Sequence, residues 1–200
     1  MNQRMKGRTP EQKQVIKYFY NVGGCLEKML KDEEYDAMVK ARVKSMDFRK
    51  KALSKIGIDE SQVSEIEPVN FEGYWFDEKK TLAKWGKDKA WRSSAYQVTW
   101  IFFSSSQIYL YQYTFNMDEE GKKEATEEYF YKDITNFSTS SDTIEKYVMG
   151  KGGQTERKSV DTNRFAIIVP GDKFYCAMDQ NDYTERAIQG MKAKLREKKG

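Results

Sequence analysis

Residues Gln97–Phe103 read QVTWIFF, Ser104–Gln107 SSSQ, Ile108–Phe115 IYLYQYTF, Asn116–Lys123 NMDEEGKK and Glu124–Tyr131 EATEEYFY. Three runs rich in aromatic and β-branched residues are separated by two polar turns, the pattern of an antiparallel meander. In Tyr96–Phe103 the side chains Val98, Trp100 and Phe102 alternate with Thr99, Ile101 and Phe103, so both faces are apolar and the strand is expected to be central. Ile108–Phe115 sets Tyr109, Tyr111, Tyr113 and Phe115 on one face. Glu124–Tyr131 sets Ala125, Tyr129 and Tyr131 on one of its own. Asp118-Glu119-Glu120-Gly121 between them reads as a hairpin loop.

Working outward, Pro68 opens a β-rich region whose first strand is expected at Val69–Phe76. The basic segment from Lys79 to Arg92 reads as a loop. After the meander, Ile134–Thr139, Arg164–Val169 and Lys173–Met178 are expected strands. Ser140–Thr162 is expected to be a long mobile loop, with room for one short strand at Thr143–Val148. Asp182–Lys199 closes the chain as a helix with Ile188, Met191 and Leu195 on its buried stripe and basic residues toward its C-terminus.

Upstream, Met1–Thr9 reads as frayed. Thr9-Pro10-Glu11-Gln12 is a helix start, with threonine as N-cap, proline at the first helical position and glutamine at the third. Gly23-Gly24 weakens or breaks that helix. Cys25–Ile56 then reads as helix, with Val39, Met46 and Leu53 seven apart and Gly57 as C-cap. Such a narrow stripe cannot stand alone, so these helices must lie on the β-domain, pair with themselves or meet another protein. The organisation expected is a helical extension over residues 1–67 and a β-domain with its terminal helix over 68–200.

Aromatics make up 14% of the 200 residues and charged residues 33%, with a mean hydropathy of −0.86. That is a real core under a highly charged surface. The net charge of +4 is too small to imply nucleic acid or membrane. There is no histidine, which removes Ser-His-Asp and Cys-His catalysis within this chain. Cys25 and Cys176 are far apart and form no disulfide framework or zinc spacing, so a reduced, cytoplasmic setting is the default. Val22-Gly23-Gly24-Cys25 has the look of a lipobox, but Glu11, Lys13 and Lys17 break the apolar core such a signal needs.

Two surfaces are candidates. Lys79, Lys80, Lys84, Lys87, Lys89 and Arg92, interleaved with Trp85 and Trp91, could hold an anionic membrane or ligand; the plainer reading is a solvated loop whose tryptophans close the core. Tyr109, Tyr111, Tyr113, Tyr129 and Tyr131 could form a partner-binding stripe, or could pack under the N-terminal helices. Gly150-Lys151-Gly152-Gly153 lacks phosphate-loop spacing. The acidic clusters Asp32-Glu33-Glu34 and Asp118-Glu119-Glu120 lack calcium-loop spacing and read as solvated turns.

Seven strands followed by one amphipathic helix resemble the pleckstrin-homology superfold. The residues carrying the likeness are YQVTWIFF from Tyr96, QIYLY from Gln107, EYFYKDIT from Glu128, RFAIIVPG from Arg164 and the helix Tyr183–Leu195. EYFYKDIT before a polar loop is similar to the fourth and fifth strands of bacterial members. The resemblance implies an α+β architecture: a seven-stranded, partly open antiparallel barrel capped by its C-terminal helix, here behind a helical extension. It implies a non-catalytic binding or scaffolding module that contacts another protein or itself. An anionic lipid surface is the alternative, and no nucleic acid, metal or cofactor is expected. The loop from Lys79 to Arg92 matches the family's lipid-binding loop in position but not in motif.

Overall fold

Strand β4 (Ala95–Phe103) is apolar on both faces because it is covered on both faces. It pairs antiparallel with β1 (Val69–Trp75) on one side and β5 (Gln107–Asn116) on the other, and β5 carries β6 (Lys122–Phe130) at its far edge. The register Ile101↔Leu110 and Phe103↔Ile108 is closed by Ser104, whose N–H donates to the Gln107 carbonyl at 2.9 Å. This computed structural model describes every residue except 23–28, 64–65, 77–79, 150–153 and 200. The Gly23-Gly24 break, Cys25, Lys79 and the Gly150–Gly153 run therefore lie outside the described residues.

A second sheet runs in the order β3 (Trp91–Ser93), β2 (Ala83–Trp85), β7 (Asn136–Met149), β8 (Thr155–Val169), β9 (Asp172–Ala177). The architecture is thus α+β, and the described residues form nine strands in two sheets with no closed barrel among them. Two expectations are corrected. Ser140–Thr162 is not a long loop: its described parts extend β7 and β8 into one hairpin, in register from Asn136↔Ile168 to Met149↔Thr155. The segment before Arg92 is not a loop either, since Ala83↔Ser93 and Trp85↔Trp91 pair as a hairpin. Polar composition hid both. Only Val148 and Val160, with Ile144 beside them, are pressed against Phe76 and Ala83, too few apolar residues to show as a strand pattern.

The inner face of the first sheet presents Val69, Phe71, Ile101, Phe103, Ile108 and Leu110 to Phe137, Phe165, Ile167 and Cys176 of the second. Helix α5 (Asp182–Lys199) closes the end of this core with Ile188, Met191 and Leu195, as its stripe predicts. Where β9 meets the first sheet, glutamines replace strand pairing. Gln97 Oε1 accepts from the Ala177 N–H at 2.7 Å, and Gln112 Nε2 donates to the Tyr175 carbonyl at 2.8 Å. Buried edge groups are thereby satisfied.

The outer face of the first sheet carries the N-terminal helices: α2 (Pro10–Tyr20), α3 (Asp32–Ser45) and α4 (Phe48–Ile56). Val15, Phe19, Tyr35, Val39, Phe48 and Ala52 pack with Tyr96, Val98, Phe102, Tyr111, Tyr113 and Phe115. Each large side chain buried there contributes roughly 1.5–3 kcal/mol, which is what holds such short helices in place. The Thr9 capping box and the Gly57 cap, at φ +81°, form as read. The expected single helix from Cys25 to Ile56 is two, parted at Met46-Asp47, where Asp47 caps α4 through the Lys50 N–H. Nor is the N-terminus frayed. The short helix α1 (Asn2–Met5) is pinned to the hairpin loop by Arg4 Nε on Asp118 at 2.9 Å and by Arg8 on Glu119 at 2.8 Å.

Candidate functional site

The β2–β3 hairpin turns through residues 86–90. Gly86 N–H donates to the Ala90 carbonyl at 2.9 Å, and Lys89 takes a left-handed conformation at φ +61°. Arg92 then points back under the turn. Its guanidinium meets Asp36 of α3 at 2.7 and 2.6 Å and Asp88 of the turn at 2.9 and 2.7 Å. This two-carboxylate fork is charge-assisted and geometrically demanding. Hydrogen bonding to Arg92 holds the Asp88 carboxyl down at about 2. The bonds from Asp88 and Asp36 hold the guanidinium charged against its burial.

The same turn is fastened a second time. Asp32, at the start of α3, accepts from the Lys87 N–H at 2.8 Å and from the Tyr18 hydroxyl at 2.7 Å. Burial raises the Asp32 carboxyl, but the Lys87 N–H, Tyr18 and Arg92 outweigh it and keep it below the usual carboxylate range. Burial and Asp32 drive the Tyr18 hydroxyl far upward, so it remains a donor. The Tyr74 hydroxyl donates to Asp36 at 2.6 Å and that of Tyr35 to the Ser93 carbonyl at 2.7 Å. Lys84 Nζ donates to the Tyr18 carbonyl at 3.0 Å and lies 3.8 Å from the Tyr18 ring centre.

What the fastened hairpin presents is aromatic. Trp85 is 51% exposed and tilts against Trp91 at 5.0 Å between ring centres. Clefts adjoin this pair. One of about 730 Å³ is lined by Asn21, Trp85, Trp91, Met149, Glu156 and Lys158. Another, of about 770 Å³, is lined by Trp85, Leu30, Lys31, Asp32, Glu33 and Lys87. Both carry charges of both signs. The surface can stack an apolar or planar group and surround it with polar partners.

The predicted basic set therefore divides. Arg92 and Lys84 face inward and fasten the hairpin. Lys80, Lys87 and Lys89 are exposed, Trp85 and Trp91 form the ridge, and Lys79 lies outside the described residues. The tyrosine set divides as well. Tyr109, Tyr111 and Tyr113 lie under the helices. Tyr129 pairs with Ile108 and so points to the opposite side of the sheet, where Tyr131 is buried. They do not form one stripe, because a register that opposes Ile108 to Tyr129 opposes Tyr109 to Glu128.

Asp32 and Asp118 are also corrected. Both are buried and paired with cations or donors rather than solvated. Asp36, Asp88, Tyr18 and Gly86 were missed by sequence reasoning. The only hint was that Asp88 and Arg92 stand four apart. Cys176 is wholly buried, and burial pushes its thiol up to about 12, which keeps it protonated. Among the described residues no three or more metal-ligating side chains are grouped to hold an ion, and no helix is long and apolar enough to cross a membrane. Comparison with known proteins supplies no relative: no family model, no curated protein and no solved structure matches this chain.

Proposed function

We propose that this chain is a non-catalytic binding module that recognises another protein through the Trp85–Trp91 ridge and its flanking clefts. One observation carries this reading: a half-exposed tryptophan sits beside a turn that three carboxylates, a guanidinium and a buried tyrosine hold in place. Solvent-exposed indole is a recurrent anchor at protein interfaces, and a rigid anchor loses little entropy on binding. The partner's complement is an apolar or aromatic side chain flanked by charges of both signs. An anionic membrane would meet Glu156 and Asp161 together with Lys158, which disfavours it.

The chain order supports reading the fold as pleckstrin-homology-like. A four-strand meander and a three-strand meander face each other with the last helix across one end, and the β2–β3 hairpin is inserted after the first strand. On this reading the insertion is the recognition device.

The test is a photo-crosslinking residue in place of Trp85, introduced in the native host. A discrete adduct is expected, competed away by the parent protein but not by Trp85→Ala. Equal competition by parent and variant, or no discrete adduct, overturns the reading. Liposomes with and without anionic lipid provide the opposing arm, and salt-sensitive binding to anionic vesicles alone would favour the membrane reading.

A further inference from the structure

Strand β6 ends the first sheet, and among the described residues it is hydrogen-bonded on one side only, to β5. Nearly all of it is exposed, including Phe130 at 49%. A nine-residue edge turns the N–H and C=O groups of alternate residues outward, which natural proteins either block or use. Here the charges do not simply block. Lys122 and Lys123 stand at one end, Glu127 and Glu128 at the other, and Ala125 lies midway.

We propose that β6 is a self-association edge: two copies of this chain pair antiparallel about a twofold axis at Ala125, joining their first sheets. A twofold axis perpendicular to a sheet requires one residue to face its own copy, so only a few registers are possible. With Ala125 on the axis, Lys122 faces the copy's Glu128, and Lys123 faces the copy's Glu127. Symmetry repeats both pairs, and no like charges oppose. With Glu124 on the axis that residue faces itself. With Thr126 there, Glu124 faces Glu128, and with Lys123 there, two lysines meet. One register is favoured and its neighbours are penalised.

The geometry has room. Lys122, Glu124, Thr126 and Glu128 share the face that carries the helices, and Lys123, Ala125 and Glu127 share the other, so every proposed pair lies on one side of the joined sheet. Helix α4 lies over β5, with Phe48 5.3 Å from the Tyr113 ring. In the joined sheet β5 and its copy are three strand spacings apart, about 14 Å, against a helix width of about 10 Å. The two α4 helices pass without collision. This edge belongs to the first sheet and the tryptophan hairpin to the second, so the inference does not rest on the function proposed above.

Sedimentation at increasing protein concentration and at low and high salt tests it, with circular dichroism as the check on folding. The parent is expected to show a monomer–dimer equilibrium that weakens as salt rises. Lys122→Glu with Lys123→Glu, and separately Glu127→Lys with Glu128→Lys, should each weaken the dimer by about tenfold or more. A 1:1 mixture of those two variants, and the single chain carrying all four reversals, should dimerise again. A parent that stays monomeric at millimolar concentration, a dimer indifferent to both reversals, or reversals that are not rescued by mixing each overturn the proposal.

Discussion

Gly86 is where the polar joint is tightest. A Cβ there would lie 2.3 Å from Arg92 Nη1 and 2.5 Å from Asp88 Oδ1. Gly86→Ala is expected to destabilise the fold by about 1–3 kcal/mol, as overpacking does, and to red-shift tryptophan emission; urea unfolding followed by fluorescence measures both. Arg92→Ala strands Asp36 and the turn. Its side chain is 4% exposed, but Asp36 and Asp88 reach solvent at 32% and 46%. The loss should therefore be about 2 kcal/mol, below the 3–5 kcal/mol of a fully buried pair.

Asp179 makes a prediction of opposite sign. The residue keeps one side open to water, yet its N–H donates to the Glu72 carbonyl at 2.9 Å and its carboxylate sits over Gly73, where an added Cβ would lie 3.2 Å from Oδ1. Burial there and the nearby Glu72 charge raise it to about 6. The fold thus favours neutral Asp179. Its contribution is fully present below the unfolded value near 4 and is lost as pH rises through about 6. Asp179→Asn should be more stable than the parent at pH 7, with the gap narrowing toward pH 4 in thermal melts. The sequence could show Asp88 four residues before Arg92. It could not show Asp36, 56 residues away, completing the fork.

Among the elements, those with an autonomous signal were legible. The Thr9 box, the Gly57 cap and the stripe of α5 each rest on residues within a turn or two of one another. Thr9→Ala should lower stability by about 1 kcal/mol in chemical denaturation, because the cap accepts from the Gln12 N–H and α2 anchors Phe19. The long β7–β8 hairpin was not legible as such. Most of the described part of its extension over 140–162 is exposed, so the strands there carry serine, threonine and charge instead of alternating apolar residues. Its β-branched residues were the available signal, but in the extension they are scattered, with Thr143, Ile144 and Val148 in β7 and Thr155, Val160 and Thr162 in β8. The inserted β2–β3 hairpin is too short for any periodicity to register.

For the molecule as a whole, the sequence predicted one central strand, Tyr96–Phe103, apolar on both faces, but left open what covers the tyrosines. The structure answers with the chain's own helices, which share one apolar cluster with β4 and β5. A fragment lacking residues 1–63 should expose Tyr96, Val98, Phe102 and Phe115, bind a hydrophobic dye and aggregate; dye fluorescence and light scattering check this. The expected seven strands fall short of the nine among the described residues because the short inserted strands β2 and β3 lie outside the apolar meander. Strand β4 remains covered from one side whichever of its two layers loosens. Its amides can therefore trade hydrogen for deuterium only when the entire chain comes apart, and they should be the slowest in the protein, reporting global rather than local opening.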